Sequence, residues 1–173
     1  MYEIIPIVLG VLIALFLNNW KENYDDKRYL GHIEDSIAKE VRENKKSISS
    51  VLIKQQALLD TLERYLDVDS ISLLVIVTKN NGFQMSTIRN ASLKALMNAK
   101  IELIDLQTIA NLTEIDELKQ TLSIKMSKLM DYIYANLRST KREDKELFSI
   151  HIMNVIDSEE QLLELLDEFM NPG

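Results

Sequence analysis

Cysteine is absent from this chain of 173 residues. That excludes a disulfide framework and thiolate chemistry, and it leaves the compartment open. Histidine occurs only at His32 and His151, too far apart in sequence to make a ligand-spaced pair. The Glu-x-x-His spacing of di-iron bundles does not occur. Neither does a glycine-rich phosphate loop or a nucleophile elbow. The chain is therefore expected to hold no metal and no cofactor and to carry no catalytic residues, and an enzyme is the least supported class. Basic residues are the minority charge, 20 against 27 acids, for a net charge of −7. A surface of that sign argues against nucleic acid as a partner. Glycine and proline are scarce, at four and two residues. With so few breakers and abundant Leu, Ile, Lys and Glu, the composition predicts long helices joined by few turns.

What is present begins with an apolar run, Ile4 to Leu17, closed by Asn18-Asn19-Trp20-Lys21. A helix crossing a ~30 Å hydrocarbon core needs about 20 residues. Residues 1–20 reach that length, with Tyr2 and Trp20 at the two interfaces where amphipathic rings are favoured. Pro6 falls in the first turns, where its missing N–H costs least. We read residues 1–20 as a transmembrane anchor built on Ile4, Ile7, Val8, Leu9, Val11, Leu12, Ile13, Leu15, Phe16, Leu17 and Trp20. A secretory signal peptide would have a basic n-region and a small-x-small cleavage site, and neither is present. A buried core helix is the serious alternative for a run this short.

Residues 21–173 read as one helical domain. A long helix over 21–66 carries an apolar stripe through Leu30, Ile33, Ile37, Val41 and Ile48, which thins where Asn44, Lys45 and Ser47 intervene. Gly31 is the expected kink. The stripe must pack on other helices of this chain or of a second copy. Residues 70–104 form an insert of short helices. Ile71 to Thr78 is ambiguous between strand and helix, and a left-handed cap is expected at Gly82. Ser86 to Ala99 reads as helix and Lys100 to Ile104 as extended. Return helices follow over 105–138, with Thr113 as an expected restart point, and over 140–170. The predicted fold is all-α: an N-terminal transmembrane helix continuous with a long helix, packed in an antiparallel bundle.

Charge clusters have ordinary explanations. Glu159, Glu160, Glu164, Asp167 and Glu168 fit the solvated face of the last helix, or a docking surface for a basic partner. Lys39, Arg42, Lys45 and Lys46 fit a solvated face that also suits anionic lipid or an acidic tail. His151 is expected to be a partly buried core residue, and the methionines to be core filler.

The stretch Glu3-Ile4-Ile5, Ile7 to Leu15 and Asn18-Asn19-Trp20-Lys21-Glu22 resembles the opening of a family of uncharacterised single-span membrane proteins of Bacteroidota. That family shows a Glu-Ile start, a Gly-x-Leu-Ile-Ala-Leu run and Asn-Asn-Trp-Asn-Glu. Ser92 to Leu96 and Lys100 to Ile104 resemble its second, weaker motif. The resemblance implies a bacterial inner-membrane, single-pass location and no chemistry. Family members usually carry a basic segment before the span, and here only Met1-Tyr2-Glu3 precede it. Lys21, Lys27 and Arg28 follow the run, so the positive-inside rule puts the bundle in the cytoplasm, whereas the family's basic segment argues for the opposite side.

The expected function is a non-enzymatic, membrane-anchored helical module, acting as a self-associating scaffold or an accessory subunit of a membrane complex. Its expected partners are the lipid bilayer and either further copies of itself or other membrane subunits. A ligand-sensing bundle and an oligomeric pore-forming effector are the alternatives.

Overall fold

The computed structural model describes residues 4–99 and 103–171. Its elements are α1 (Ile4–Arg64), α2 (Leu73–Lys79), α3 (Ala91–Ala99), α4 (Leu106–Asn136) and α5 (Arg142–Met170). There is no strand among the described residues, so the all-α prediction holds.

No proline interrupts α1 after Pro6, and the helix runs unbroken for 61 residues. The break expected at Gly31 does not occur. A mid-helix glycine costs only about 1 kcal/mol. Here it is flanked by Leu30 and Ile33, both packed against the core, which hold the helix on course. At the far end, Lys145 of α5 is fully buried and its Nζ donates to the carbonyls of Tyr65 and Val68, each at 2.9 Å. It thereby ties down the turns that follow α1, whose two carbonyls also accept from the Val68 and Ile71 N–H groups.

The ambiguous stretch from Ile71 to Thr78 is helical. Leu73 and Ile76, three apart, are buried, while Leu74 and Val75 are exposed, which is a helix period. The first N–H groups of α2 have partners at the α4–α5 turn: Leu73 donates to the Ser139 carbonyl at 2.9 Å and Leu74 to that of Leu137 at 2.7 Å. Asn81 and Gly82 close α2 with φ of 58° and 87°, the left-handed geometry expected at Gly82.

The helix expected from Ser86 starts only at Ala91. Residues 83–90 form no regular element, and side chains of α1 and α5 take up several of their backbone groups, as described below. Of the stretch expected to be extended after α3, residues 100–102 lie outside the described residues. Asp105 caps α4, its carboxylate accepting from the Thr108 N–H at 2.9 Å. The restart expected at Thr113 is absent, since its hydroxyl bonds back to the Ile109 carbonyl within a continuous helix.

The helix α5 lies at the centre, packed on α4 along one side and on α1 along another. Pairings run antiparallel on both: Lys145 meets Tyr65 and Lys45 pairs with Asp167 on α1, while Tyr132 meets Asp144 and Lys125 meets Ser158 on α4. The core joins Ile48, Leu58 and Leu62 of α1 to Leu112, Leu122 and Leu129 of α4 and to Phe148, Ile152 and Leu162 of α5.

Among the described residues no helix is long and apolar enough to cross a membrane. The crossing expected of residues 1–20 therefore has no support in the fold. Met1 to Glu3, which opened it, lie outside the described residues.

Candidate functional site

Among the described residues nothing covers the N-terminal end of α1. Every residue from Ile7 to Asp25 is exposed, so no face of the helix is covered. Among the anchor residues exposure runs from 50% at Val8 to 71% at Phe16; Ile7, Leu9, Val11, Leu12, Ile13, Leu15, Leu17 and Trp20 lie between. Ile4 is helical in backbone, and its side chain lies outside the described set. Burying one such side chain is favourable by about 1.5–3 kcal/mol. A contiguous apolar surface on all sides of a helix is therefore a surface for something apolar.

The stripe predicted for packing or self-association is turned inward. Ile37, Val41 and Ile48 are buried in the core, with Leu30 and Ile33 half-buried against it. A seam between copies along these residues has no free surface, because α5 and the short helices already cover it.

The polar interruption of that stripe has a structural use. Asn44 is buried, and its amide reads the backbone of Arg89 in both directions: Nδ2 donates to the carbonyl at 2.7 Å and Oδ1 accepts from the N–H at 2.8 Å. Ser47 Oγ accepts from the Thr87 N–H at 2.8 Å, and Gln55 Nε2 donates to the Gln84 carbonyl at 3.1 Å. The Glu40 carboxylate accepts from the Ser92 N–H at 3.1 Å through either oxygen, which places a negative charge at the start of α3. One polar edge of α1 thus straps residues 83–92 to the bundle. Asn90 completes the strap on α4, bonded to Asp116 and Lys119, each at 2.5 Å. Burial, then the positive charge of Lys94, lowers the pKa of the Lys119 amine.

Glu159 departs from the solvated face predicted for the acidic tail: it is fully buried. Its Oε1 accepts from Ser86, from the hydroxyl at 2.6 Å and the N–H at 3.3 Å. Its Oε2 is buried without a partner, as is Oε1 of Gln55, whose side chain also bears on this carboxyl. Burial pushes the Glu159 carboxyl above the usual carboxylate range, against the lowering effect of the Ser86 and Gln55 hydrogen bonds. Helical periodicity is the signal that could have found it: the steps through Phe148, Ile152, Val155, Leu162 and Leu166 place position 159, and not 160, on the core face.

Of the two histidines, His32 is exposed and His151 is half-buried against the Tyr132 ring, with centroids 5.0 Å apart. Burial, then the Asp144 carboxylate, pushes the Tyr132 hydroxyl up to about 12. Among the described residues no group of His, Asp and Glu is arranged to hold a metal ion. A cavity of about 170 Å³ opens between α1 and the end of α5, lined chiefly by Leu30, Ile37, Leu96, Ile104 and Phe169. A larger groove lies on the opposite end of the α1–α5 pair. No family model, curated protein or solved structure matches the chain.

Proposed function

We propose that the protein is a membrane-anchored helical module, non-enzymatic, in which the apolar end of α1 lies in lipid and the bundle serves as a scaffold or accessory subunit at the membrane surface. The observation that carries this reading is the exposure of α1 on every face from Ile7 to Leu17. A protein partner seated on one side would leave the rest of that surface in water. Hydrocarbon covers all of it and needs no complementary shape.

The run from Ile4 to Leu17 is about 21 Å long as helix, shorter than a ~30 Å core. Local thinning of the bilayer and snorkelling of Lys21, Lys27 and Arg28 accommodate such a mismatch. The same cations keep the bundle on the cytoplasmic face of a bacterial inner membrane in this reading. Because α1 is continuous into the core, the bundle and the anchor form one stalk.

Flotation with liposomes tests it. The intact chain is expected to rise with the vesicles, and the double variant Leu12→Asp, Phe16→Asp to stay at the bottom with its bundle folded. Wild-type chain that remains monomeric and fails to float overturns the reading.

A further inference from the structure

The groove at the far end of the bundle, away from the apolar segment, has a volume of about 530 Å³ and lies between α1 and α5. Its floor is Leu59 of α1 and Leu66 in the turn just past it, with Ile150 and Met153 of α5. Ile150 and Met153 are 48% and 45% exposed, although they stand on the same helix as the fully buried Phe148 and Ile152. The helix α5 therefore presents a second apolar edge, which the chain leaves open.

The rim is acidic. Asp60, Glu63 and Glu146 line it and no Lys or Arg does. Arg142 pairs with Glu146 at 2.7 Å and offsets that charge. Asp60 accepts only from the neutral Gln56 amide, at 3.0 Å. Asp60 and Glu63 thus have no ion pair among the described residues. An apolar trough two to three helical turns long, walled by two helices and edged with free carboxylates, matches one kind of occupant. That occupant is a helix with apolar residues on one face and Lys or Arg flanking it.

We infer that this groove is a docking site for a basic amphipathic helix of a partner protein. Met153 suits such a role, since an unbranched thioether adapts to the side chains laid against it. The inference deepens the accessory-subunit reading by giving the partner's chemistry. It fails separately from that reading, because lipid attachment involves the opposite end of α1.

The test uses the full chain in phosphatidylcholine nanodiscs and two fluorescent helical peptides of about 14 residues, one Leu/Lys and one Leu/Glu. Anisotropy is corrected for empty nanodiscs. The Leu/Lys peptide is expected to bind the wild type, and the Leu/Glu peptide is not. Ile150→Glu is expected to weaken binding by roughly tenfold or more. Asp60→Lys with Glu63→Lys is expected to exchange the preference, so that the Leu/Glu peptide now binds and the Leu/Lys peptide does not. These substitutions are on the surface, and unchanged helical circular dichroism confirms that each variant folds. Ile124→Glu, at an exposed site on α4, is the control and should change nothing. The inference is overturned if Ile150→Glu and Ile124→Glu behave alike, or if the rim reversal leaves the preference as it was. It is also overturned if the wild type has the native mass of a dimer that Ile150→Glu dissociates, since a second copy then occupies the groove.

Discussion

Glu159 and Asn44 show how much a single polar side chain does in this bundle. A carboxyl whose pKa is raised by folding holds its proton more tightly in the native state than in the unfolded chain, so the native state binds more protons between the two values. The stability it contributes is complete below the ordinary carboxylate range. It is lost as pH rises from there through the raised folded value. Chemical denaturation across that window should show stability falling with pH. Glu159→Gln should flatten the slope, because an amide does not titrate and can still accept from Ser86 at any pH. An identical slope in the variant would place the titrating group elsewhere. Asn44 supplies one donor and one acceptor to the Arg89 backbone, and truncation removes both partners in a part-buried place. Asn44→Ala should cost about 1–3 kcal/mol in urea denaturation. Hydrogen exchange should quicken in residues 84–90 before anywhere else. A neutral substitution would mean that the strap is held by packing alone.

Elements follow periodicity where periodicity is long. The stripe through Ile37, Val41 and Ile48, and the apolar sides of α4 and α5, are legible because many turns repeat the same signal. Short elements are not. Residues 86–90 look helical from Ile88 and the residues that follow, yet Thr87 and Arg89 have backbone partners on side chains 40 and 45 residues earlier and Ser86 on one 73 residues later, pairings no local pattern encodes. Gly31 illustrates the converse, a local breaker overridden by packing on both sides. A Cβ added there meets nothing within 4 Å, and its φ is not in the left-handed region. Gly31→Ala should therefore stabilise the protein by about 0.5–1 kcal/mol, read as a rise in the urea midpoint at constant slope. Loss of stability would mean that the helix is distorted there. Ile37→Lys, which would separate copies if the stripe were an intermolecular seam, should instead destabilise the bundle itself by several kcal/mol, since it places a charge in the core.

At the scale of the whole molecule, one helix serves two environments. Its first 14 residues are apolar on all sides and, from Ile7 on, exposed, while the stretch from Leu30 onward gives the bundle an apolar stripe and a polar edge. The apolar run was visible in the sequence from its length and its closing Trp20. What the sequence could not show is that the run keeps every face free, because that depends on where the other four helices end. The candidate groove was equally invisible, since nothing local to Ile150 and Met153 shows that they stay exposed beside the buried Phe148 and Ile152. The central claim is that the free end lies in lipid, and Trp20, the only tryptophan, is a built-in probe of it. The most direct measurement is Trp20 fluorescence in vesicles whose acyl chains are brominated either near the headgroup or near the bilayer centre. The account predicts a blue-shifted emission, quenched strongly by shallow bromines and weakly by deep ones, with little access to aqueous iodide. Emission unaffected by either lipid and fully quenched by iodide in the presence of vesicles would contradict it.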